Sequence, residues 1–342
     1  MKAIFYKQHG GAEKLQYGDR PVPVPKPGEV LVRLKAAALN HLDIWVRNGL
    51  PGLTVPMPHI PGSDGAGVVE KTAKDVKGVD VGARVMLAPG VSCGKCDACE
   101  SGEDQLCPHF DILGQARDGT YAEYVAVPAE NLVPIPEGID FVQAAAFPLV
   151  FLTAWRMVVS LAQVRSGETV LVHAGGSGVG TAAIQVAKLW GAEVFTTVGD
   201  DAKTARVKAL GADHVINYQK KDFLHEVRQL TDKRGVDVVV EHVGPAVFEK
   251  SLLALARGGR LVTCGATTGR QAPLDLRLFY SRHLRVIGTR LGPKRDLLEA
   301  ARFFAAGKLK PVLDRTFPLR LAAQAQAHME SRKLVGKIVL EI

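Results

Sequence analysis

Cysteine is scarce in this 342-residue chain: there are five, and four of them fall within residues 93–107. That excludes a disulfide scaffold, which distributes paired cysteines through a small secreted domain. No apolar run reaches the roughly 20 residues needed to cross a bilayer. The opening Met1-Lys-Ala-Ile-Phe-Tyr-Lys7 is too short and polar for a secretory leader and reads as a first strand. We therefore expect a soluble, cytoplasmic protein with no membrane partner. Aromatic residues make up only 6%, and no block of lysine and arginine occurs. The net charge of +8 is dispersed, so the aromatic-studded basic stripe of a nucleic-acid binder is missing. An anionic small ligand fits the charge better. Internal repeats and low-complexity segments are absent. What the chain does have is 47% hydrophobic residues, enough for large cores, and a length that favours two domains.

Its central stretch is Val170-Leu-Val-His173, followed by Gly175-Gly176-Ser177-Gly178-Val179-Gly180. The first four residues read as a short buried strand. Ile184, Val186, Ala187 and Leu189 then recur at helical spacing. A strand, a glycine turn and a helix form the first unit of a dinucleotide-binding fold. The turn lets backbone approach a pyrophosphate, and the helix N-terminus offers that anion free N–H groups. A strict G-x-G-x-x-G needs glycine where Ser177 stands, and Gly178 supplies one a residue later. Strands are expected at about 170–173, 193–198, 214–217, 236–240, 260–264 and 285–288. These six strands alternate with helices, as two βαβαβ halves require.

Residues 1–90 read as β-rich, with turns at Pro27-Gly28 and a glycine-rich bend at 61–67. Residues 36–47 read as a strand end running into a short helix. Residues 141–159 read as helix interrupted at Pro148. A helix over 294–306 and a closing strand, Val335-Gly-Lys-Ile-Val-Leu-Glu-Ile342, finish the chain. Between these parts lies Cys93-Gly-Lys-Cys96-Asp-Ala-Cys99, with Cys107 further on. Four thiolates at this spacing satisfy a closed tetrahedral zinc site, which staples a loop and leaves no position for substrate. An unmetallated thiol cluster is the plainer alternative. An iron–sulfur run fits worse, because its last gap is shorter.

Taken together, the β-rich start, the cysteine lobe, the six-stranded unit and the short return resemble the medium-chain dehydrogenase/reductase superfamily across essentially the whole chain. The resemblance implies an α/β fold: a doubly wound, parallel six-stranded Rossmann domain (151–290) and a β-rich, GroES-like catalytic domain (1–150 and 291–342). The cysteine lobe spans 90–110 in the second of these, and the substrate cleft would lie between the domains. Cys93, Cys96, Cys99 and Cys107 match the structural-zinc lobe of zinc alcohol dehydrogenases, implying one structural zinc per chain. The catalytic-zinc ligands do not carry over. Asn40, Ser63-Asp64 and Leu149 stand where the family pattern has them, and Leu42 replaces the relay hydroxyl. Asn40 and Asp43 instead match the Asn-x-x-Asp of zinc-free quinone oxidoreductases and enone reductases. Asn40 would donate a hydrogen bond to the acceptor oxygen, and Asp43 would hold the loop. Both residue types are also ordinary helix caps.

For the nicotinamide cofactor, the resemblance implies contacts at Thr153, at Gly175, Ser177, Gly178, Val179 and Gly180, and at Val243, Gly265 and Ala266. A count along the chain places Asp200 and Asp201 as NAD-selecting acids. The strand end itself is Val198-Gly199, which cannot discriminate against a 2′-phosphate. Lys203 and Tyr218 match residues around that phosphate, with Arg206 nearby. NADP(H) is therefore favoured over NAD(H). The expected activity is hydride transfer to a quinone or another small conjugated carbonyl. Two alternatives stay open. One is an alcohol dehydrogenase with zinc rebuilt on His41, His59, Asp43 or Asp64. The other is a nucleotide-sensing protein that binds RNA or another anion. A homodimer or homotetramer is expected, with 284–291 as the edge that pairs with its copy.

Overall fold

Glu29–Ala38 alternates β-branched and apolar residues with Arg33 and Lys35, and it becomes the central strand of a seven-stranded sheet. The computed structural model describes residues 1–342. They divide into two units, Met1–Val150 with Pro293–Ile342 and Phe151–Gly292.

In the first unit the sheet runs Leu313–Pro318, Lys337–Glu341, Glu29–Ala38, Asp64–Thr72, Arg84–Leu87, Leu132–Pro134. Tyr124–Pro128 also pairs with Glu29–Ala38. Two registers bring distant parts of the chain to one corner of this sheet. Val339 lies opposite Ala38, and Leu39 N donates to Ile338 O, so the pairing runs on towards Lys337 and Asn40. On the other edge of the central strand, Ala38 lies opposite Asp64. The end of the central strand, the start of Asp64–Thr72 and the start of the C-terminal strand therefore meet. The helix His41–Asn48 leaves from that corner, with Asn40 as its N-cap. Apolar cores lie around Val30, Val32, Leu34 and Val125, and around Ala37, Leu39, Ile60 and Leu340.

The second unit is a parallel sheet of six strands: Thr169–Val172, Glu193–Val198, His214–Asn217, Val236–Glu241, Leu255–Thr263 and Arg285–Gly288. Numbered in chain order, they lie 3-2-1-4-5-6, the doubly wound arrangement. Strand 5 starts at Leu255, earlier than the sequence suggests. Gly258 turns to φ 73° within it, and the pairing with strand 4 shifts register between Val236 and Val238. Residues 141–159 also differ from a single interrupted helix. They form Phe141–Ala146, then Pro148–Trp155, then a π-turn over Arg156–Leu161. Pro148 opens the second helix, where its missing N–H costs nothing.

Arg260, on strand 5, is a buried charge in this sheet. Nη1 and Nη2 hold the Glu168 carboxylate at 3.0 and 2.6 Å. Nε donates to Ala162 O, and Nη2 also donates to Gln163 O at 3.3 Å. Truncation strands two carbonyls and a half-buried carboxylate. We expect Arg260→Ala to lose about 3 kcal/mol, and Arg260→Lys to recover only part of it, because lysine lacks the planar fork. Urea unfolding of the two variants checks this.

Candidate active site and cofactor site

The glycine turn is built differently from its fingerprint. The left-handed residue is Ala174, at φ 48°. Its N–H donates to Thr197 Oγ1 at 3.0 Å. That hydroxyl also lies 3.2 Å from His173 Nδ1. His173 Nε2 is 2.8 Å from Ser251 Oγ, whose own proton goes to Val247 O at 2.7 Å. Nε2 therefore carries the imidazole proton and Nδ1 accepts. Burial pushes His173 down to about 3, so it stays neutral and rigid beneath the turn.

The glycines serve close packing. A Cβ on Gly175 would stand 2.1 Å from Thr196 Oγ1, and one on Gly180 would stand 2.3 Å from Ala174 O. Ser177, the departure from the pattern, is the N-cap of Gly178–Leu189: its hydroxyl accepts from Gly180 N at 2.9 Å. The Gly178 and Val179 N–H groups in the first turn have no acceptor within the helix, as at any helix start.

The ends of strands 4 and 5 join this turn. Ser177 Oγ lies 3.1 Å from His242 Nε2, and a Cβ on Gly265 would touch His242 O at 3.0 Å. Val243 O accepts from the Thr268 backbone and hydroxyl, each at 2.8 Å. Ala266 Cα lies 3.3 Å from the Cβ position of Gly244. The sequence reading missed the residue that organises this corner, Glu241. It is fully buried, and Oε1 accepts from Val243 N and Gly244 N at 2.5 and 2.6 Å. Oε2 accepts from Thr263 Oγ1 at 2.8 Å. An acid ending the valine-rich run Val236-Asp-Val-Val-Val240 was its only signal.

At the ends of strands 2 and 3, both candidate acids are engaged elsewhere. Asp200 Oδ1 accepts from Ala202 N at 2.9 Å. Asp201 accepts from Asn217 Nδ2 at 2.6 Å and from Lys220. Tyr218 is half exposed, and its hydroxyl lies 2.5 Å from where a Gly199 Cβ would be. Any side chain at 199 would displace that ring. Lys203 closes the turn Asp201–Lys203 and Arg206 lies on the helix Thr204–Ala209. Thr153 is buried in Pro148–Trp155.

The four lobe cysteines converge, with their sulfurs all within 4.8 Å of one another. Cys96 Sγ and Cys99 Sγ are 3.5 Å apart, and Cys93 Sγ and Cys99 Sγ 4.0 Å. Tetrahedral zinc with its ~2.3 Å Zn–S bonds sets thiolates about 3.8 Å apart, so the cluster fits that ion. The Lys95 backbone N–H holds the Cys93 thiol down to about 6, whereas burial and the neighbouring thiols push Cys96 up to about 11.

The Asn40 corner fits a metal poorly. Asn40 Nδ2 donates to Asp64 Oδ2 at 2.9 Å, and Leu149 N donates to Asp64 Oδ1 at 2.9 Å. Lys337 Nζ donates to Asn40 Oδ1 at 2.6 Å, to Asp64 Oδ2 at 3.0 Å and to Leu39 O at 2.7 Å. An ammonium therefore already stands among the oxygens that a cation would use. His59 is turned to Gly114 O at 3.0 Å, and His41 is exposed. The lobe cysteines are the one set of three or more such ligands that converges, and His41, His59, Asp43 and Asp64 do not converge in that way. Asp43 holds the loop through separate bonds. Oδ2 accepts from Asn40 N and Tyr121 OH, each at 2.8 Å, and Oδ1 accepts from Ser63 Oγ at 3.0 Å. Lys337, Ser63 and Tyr121 were not read as partners of this corner. A lysine heading the core strand Lys-Ile-Val-Leu was the available hint.

The chain combines a doubly wound parallel unit with a β-rich unit that carries a four-cysteine lobe, the make-up of a dehydrogenase-type oxidoreductase. Residues 26–137 match the Alcohol dehydrogenase GroES-like domain, and 178–306 match the Zinc-binding dehydrogenase domain. The chain belongs to the zinc-type alcohol dehydrogenase group of the medium-chain dehydrogenase/reductase superfamily. It is 33% identical to an alcohol dehydrogenase of Geobacillus stearothermophilus, across 100% of this chain and 99% of that one. It is also 28% identical to the quinone oxidoreductase of Homo sapiens, across 99% and 97%. Among solved structures it resembles an NAD-dependent alcohol dehydrogenase at a TM-score of 0.96, with 48% identity and 100% of both chains covered.

Asp43 generates a pH prediction. Burial raises its carboxyl to about 6 from 3.8. The folded state therefore holds a proton that the unfolded chain has lost. The resulting stabilisation is full below about pH 4 and disappears as pH rises through about 6. At about 1.4 kcal/mol per pKa unit, it is worth about 2–3 kcal/mol. Between pH 4 and pH 7 the urea midpoint of wild type should fall relative to that of Asp43→Asn, whose amide does not titrate. Parallel profiles would remove the buried carboxyl as the cause.

Proposed function

We propose that this protein is an NAD(P)H-dependent reductase of quinones or other conjugated carbonyls, working without a catalytic zinc. One zinc held by Cys93, Cys96, Cys99 and Cys107 serves only to staple its loop. The observation that carries this reading is the Lys337 ammonium seated between Asn40 and Asp64. A polarising metal needs about three protein ligands and an open position. An amide, a carboxylate and a resident cation offer neither.

The reduced nicotinamide supplies the hydride when bound. The residues of this chain bind and orient. The first turn of Gly178–Leu189 takes the pyrophosphate, and the loops after strands 4 and 5, with Val243, Gly265 and Ala266, take the ribose and amide. Thr153 lies against the nicotinamide. Asn40 spends one Nδ2 hydrogen on Asp64. The second is the donor for an acceptor oxygen as it becomes negative during hydride addition. The proton that completes the reduction comes from solvent. Asp43 fixes the Asn40 backbone.

The reading favours NADP(H). Asp200 and Asp201 are engaged with Ala202, Asn217 and Lys220. Tyr218 stands against Gly199, Lys203 closes the turn that follows, and a 2′-phosphate there would meet a cation and no free acid. The reduced cysteines suit the cytoplasm. The edge strand Arg285–Gly288, with exposed Val286, Leu276 and Tyr280 nearby in the chain, suits a homodimer or homotetramer.

The rival reading is an NAD-dependent alcohol dehydrogenase. It draws on the 48% identity to a solved enzyme of that name. Metal analysis with initial rates separates the two. Our reading expects about one zinc per chain, quinone reduction that survives a mild chelator, and a kcat/KM for NADPH at least about tenfold above that for NADH. Lys203→Ala should erase most of that preference. Two zinc ions per chain and chelator-sensitive alcohol oxidation would establish the rival. Asn40→Ala should lower kcat about 30-fold or more, on the scale of losing one charge-stabilising donor. Its cofactor KM should stay near the wild-type value.

A further inference from the structure

One charged group in the Asn40 corner, the Lys337 ammonium, has its hydrogen bonds filled by the chain itself. The Lys337 side chain is 3% exposed and that of Asp64 is fully buried. The three neighbours of Nζ are a backbone carbonyl, an amide oxygen and a carboxylate oxygen. All three are acceptors, so all three N–H bonds of an ammonium are spent and none is left for a substrate. Oxygens of these three kinds around one positive charge are also the donor set of a hard metal cation. Here the cation is tethered to the chain.

Asn40 is fixed from both ends. Its Oδ1 faces the ammonium and its Nδ2 faces the carboxylate. Flipping the amide would set N–H groups against an ammonium and an oxygen against a carboxylate, two repulsive contacts in a buried place. The remaining Nδ2 hydrogen therefore has one direction. Donation to Oδ1 also draws electron density from the amide and strengthens that hydrogen as a donor.

We infer that Lys337 is a positioning residue for the reduction, a tethered cation that stands where a metal ion would sit between Asn40 and Asp64 and that aims and polarises the Asn40 amide. This rests on the reading of Asn40 as the donor to the acceptor oxygen. Asp64 balances the charge, so the pair can be buried without a counter-ion from solvent. A lysine that merely joined the ends of two strands would hold the fold and leave the chemistry alone.

The test compares kcat and KM, with a quinone and reduced nicotinamide, across the wild-type enzyme and three variants. Lys337→Met keeps the stem and removes the charge. Its kcat should fall about 10- to 100-fold, with the KM for reduced nicotinamide changed less than about threefold. Lys337→Ala opens room for a small amine. Ethylammonium at about 50 mM should raise its kcat at least fivefold, whereas tetramethylammonium, with no N–H, should not. Lys337→Met/Asp64→Asn removes both charges and keeps the corner foldable if the single variant does not refold. It should remain slow, because an amide cannot replace the ammonium on Oδ1.

A kcat for this double variant within about twofold of wild type would overturn the proposal. So would an unchanged kcat in Lys337→Met, or a loss confined to KM. A wild type that reduces no quinone or enone removes the reductase reading and this proposal with it. An active wild type that is slowed by Asn40→Ala but not by the Lys337 variants removes this proposal alone.

Discussion

Lys337 and Asn40 are 297 residues apart in the chain, yet their side chains meet at 2.6 Å in a buried place. Burying one ammonium would be costly alone, and burying Asp64 alone equally so. Together, with Asn40 and Leu39 O completing the bonds, they are neutral and satisfied. The register of two strand pairs makes this possible: Asp64 faces Ala38 across one edge of the central strand, and the C-terminal strand runs along the other. A one-residue slip in either pairing would turn an unpaired charge into the core. The electrostatics of the site and the register of the sheet therefore enforce each other.

A similar economy governs the nucleotide unit. The turn after strand 1 depends on a neutral, buried His173 held between Thr197 and Ser251, and on Ser177 closing the helix end. Beside it, Glu241 gathers two backbone N–H groups and Thr263. These groups set the shape of the glycine turn and of the neighbouring strand ends from beneath.

Much of the fold was legible. The β-branched runs of 170–173, 193–198 and 236–240 alternate with helical spacing, and all six expected strands are present, strand 5 alone beginning several residues early. The cysteine spacing announced the lobe, because ligand chemistry is local. Asn40 was legible as a departure from a pattern. What faced it was not, since nothing near Asn40 in the chain names a partner almost three hundred residues away. Strand periodicity says only that position 337 points inward. A lysine there reads as an anomaly until the pairing supplies its carboxylate. Ser177 and Ala174 exchange the roles a fingerprint assigns to glycine, because capping and a tightly bonded left-handed residue do the same local work.

The order in which the residues of this corner are made has a consequence for biosynthesis. Asn40, Asp43, Ser63, Asp64 and Tyr121 all precede the nucleotide unit, and Lys337 follows it. As the chain leaves the ribosome, Asp64 must wait in water while the whole Phe151–Gly292 unit is translated. At the end of that interval the nucleotide unit has every strand it needs, whereas the β-rich unit still lacks two. The part of the chain made second is thus the first able to finish folding. The Asn40 corner comes into being only with the last strand, so a nascent chain can hold a complete doubly wound fold before that corner is assembled.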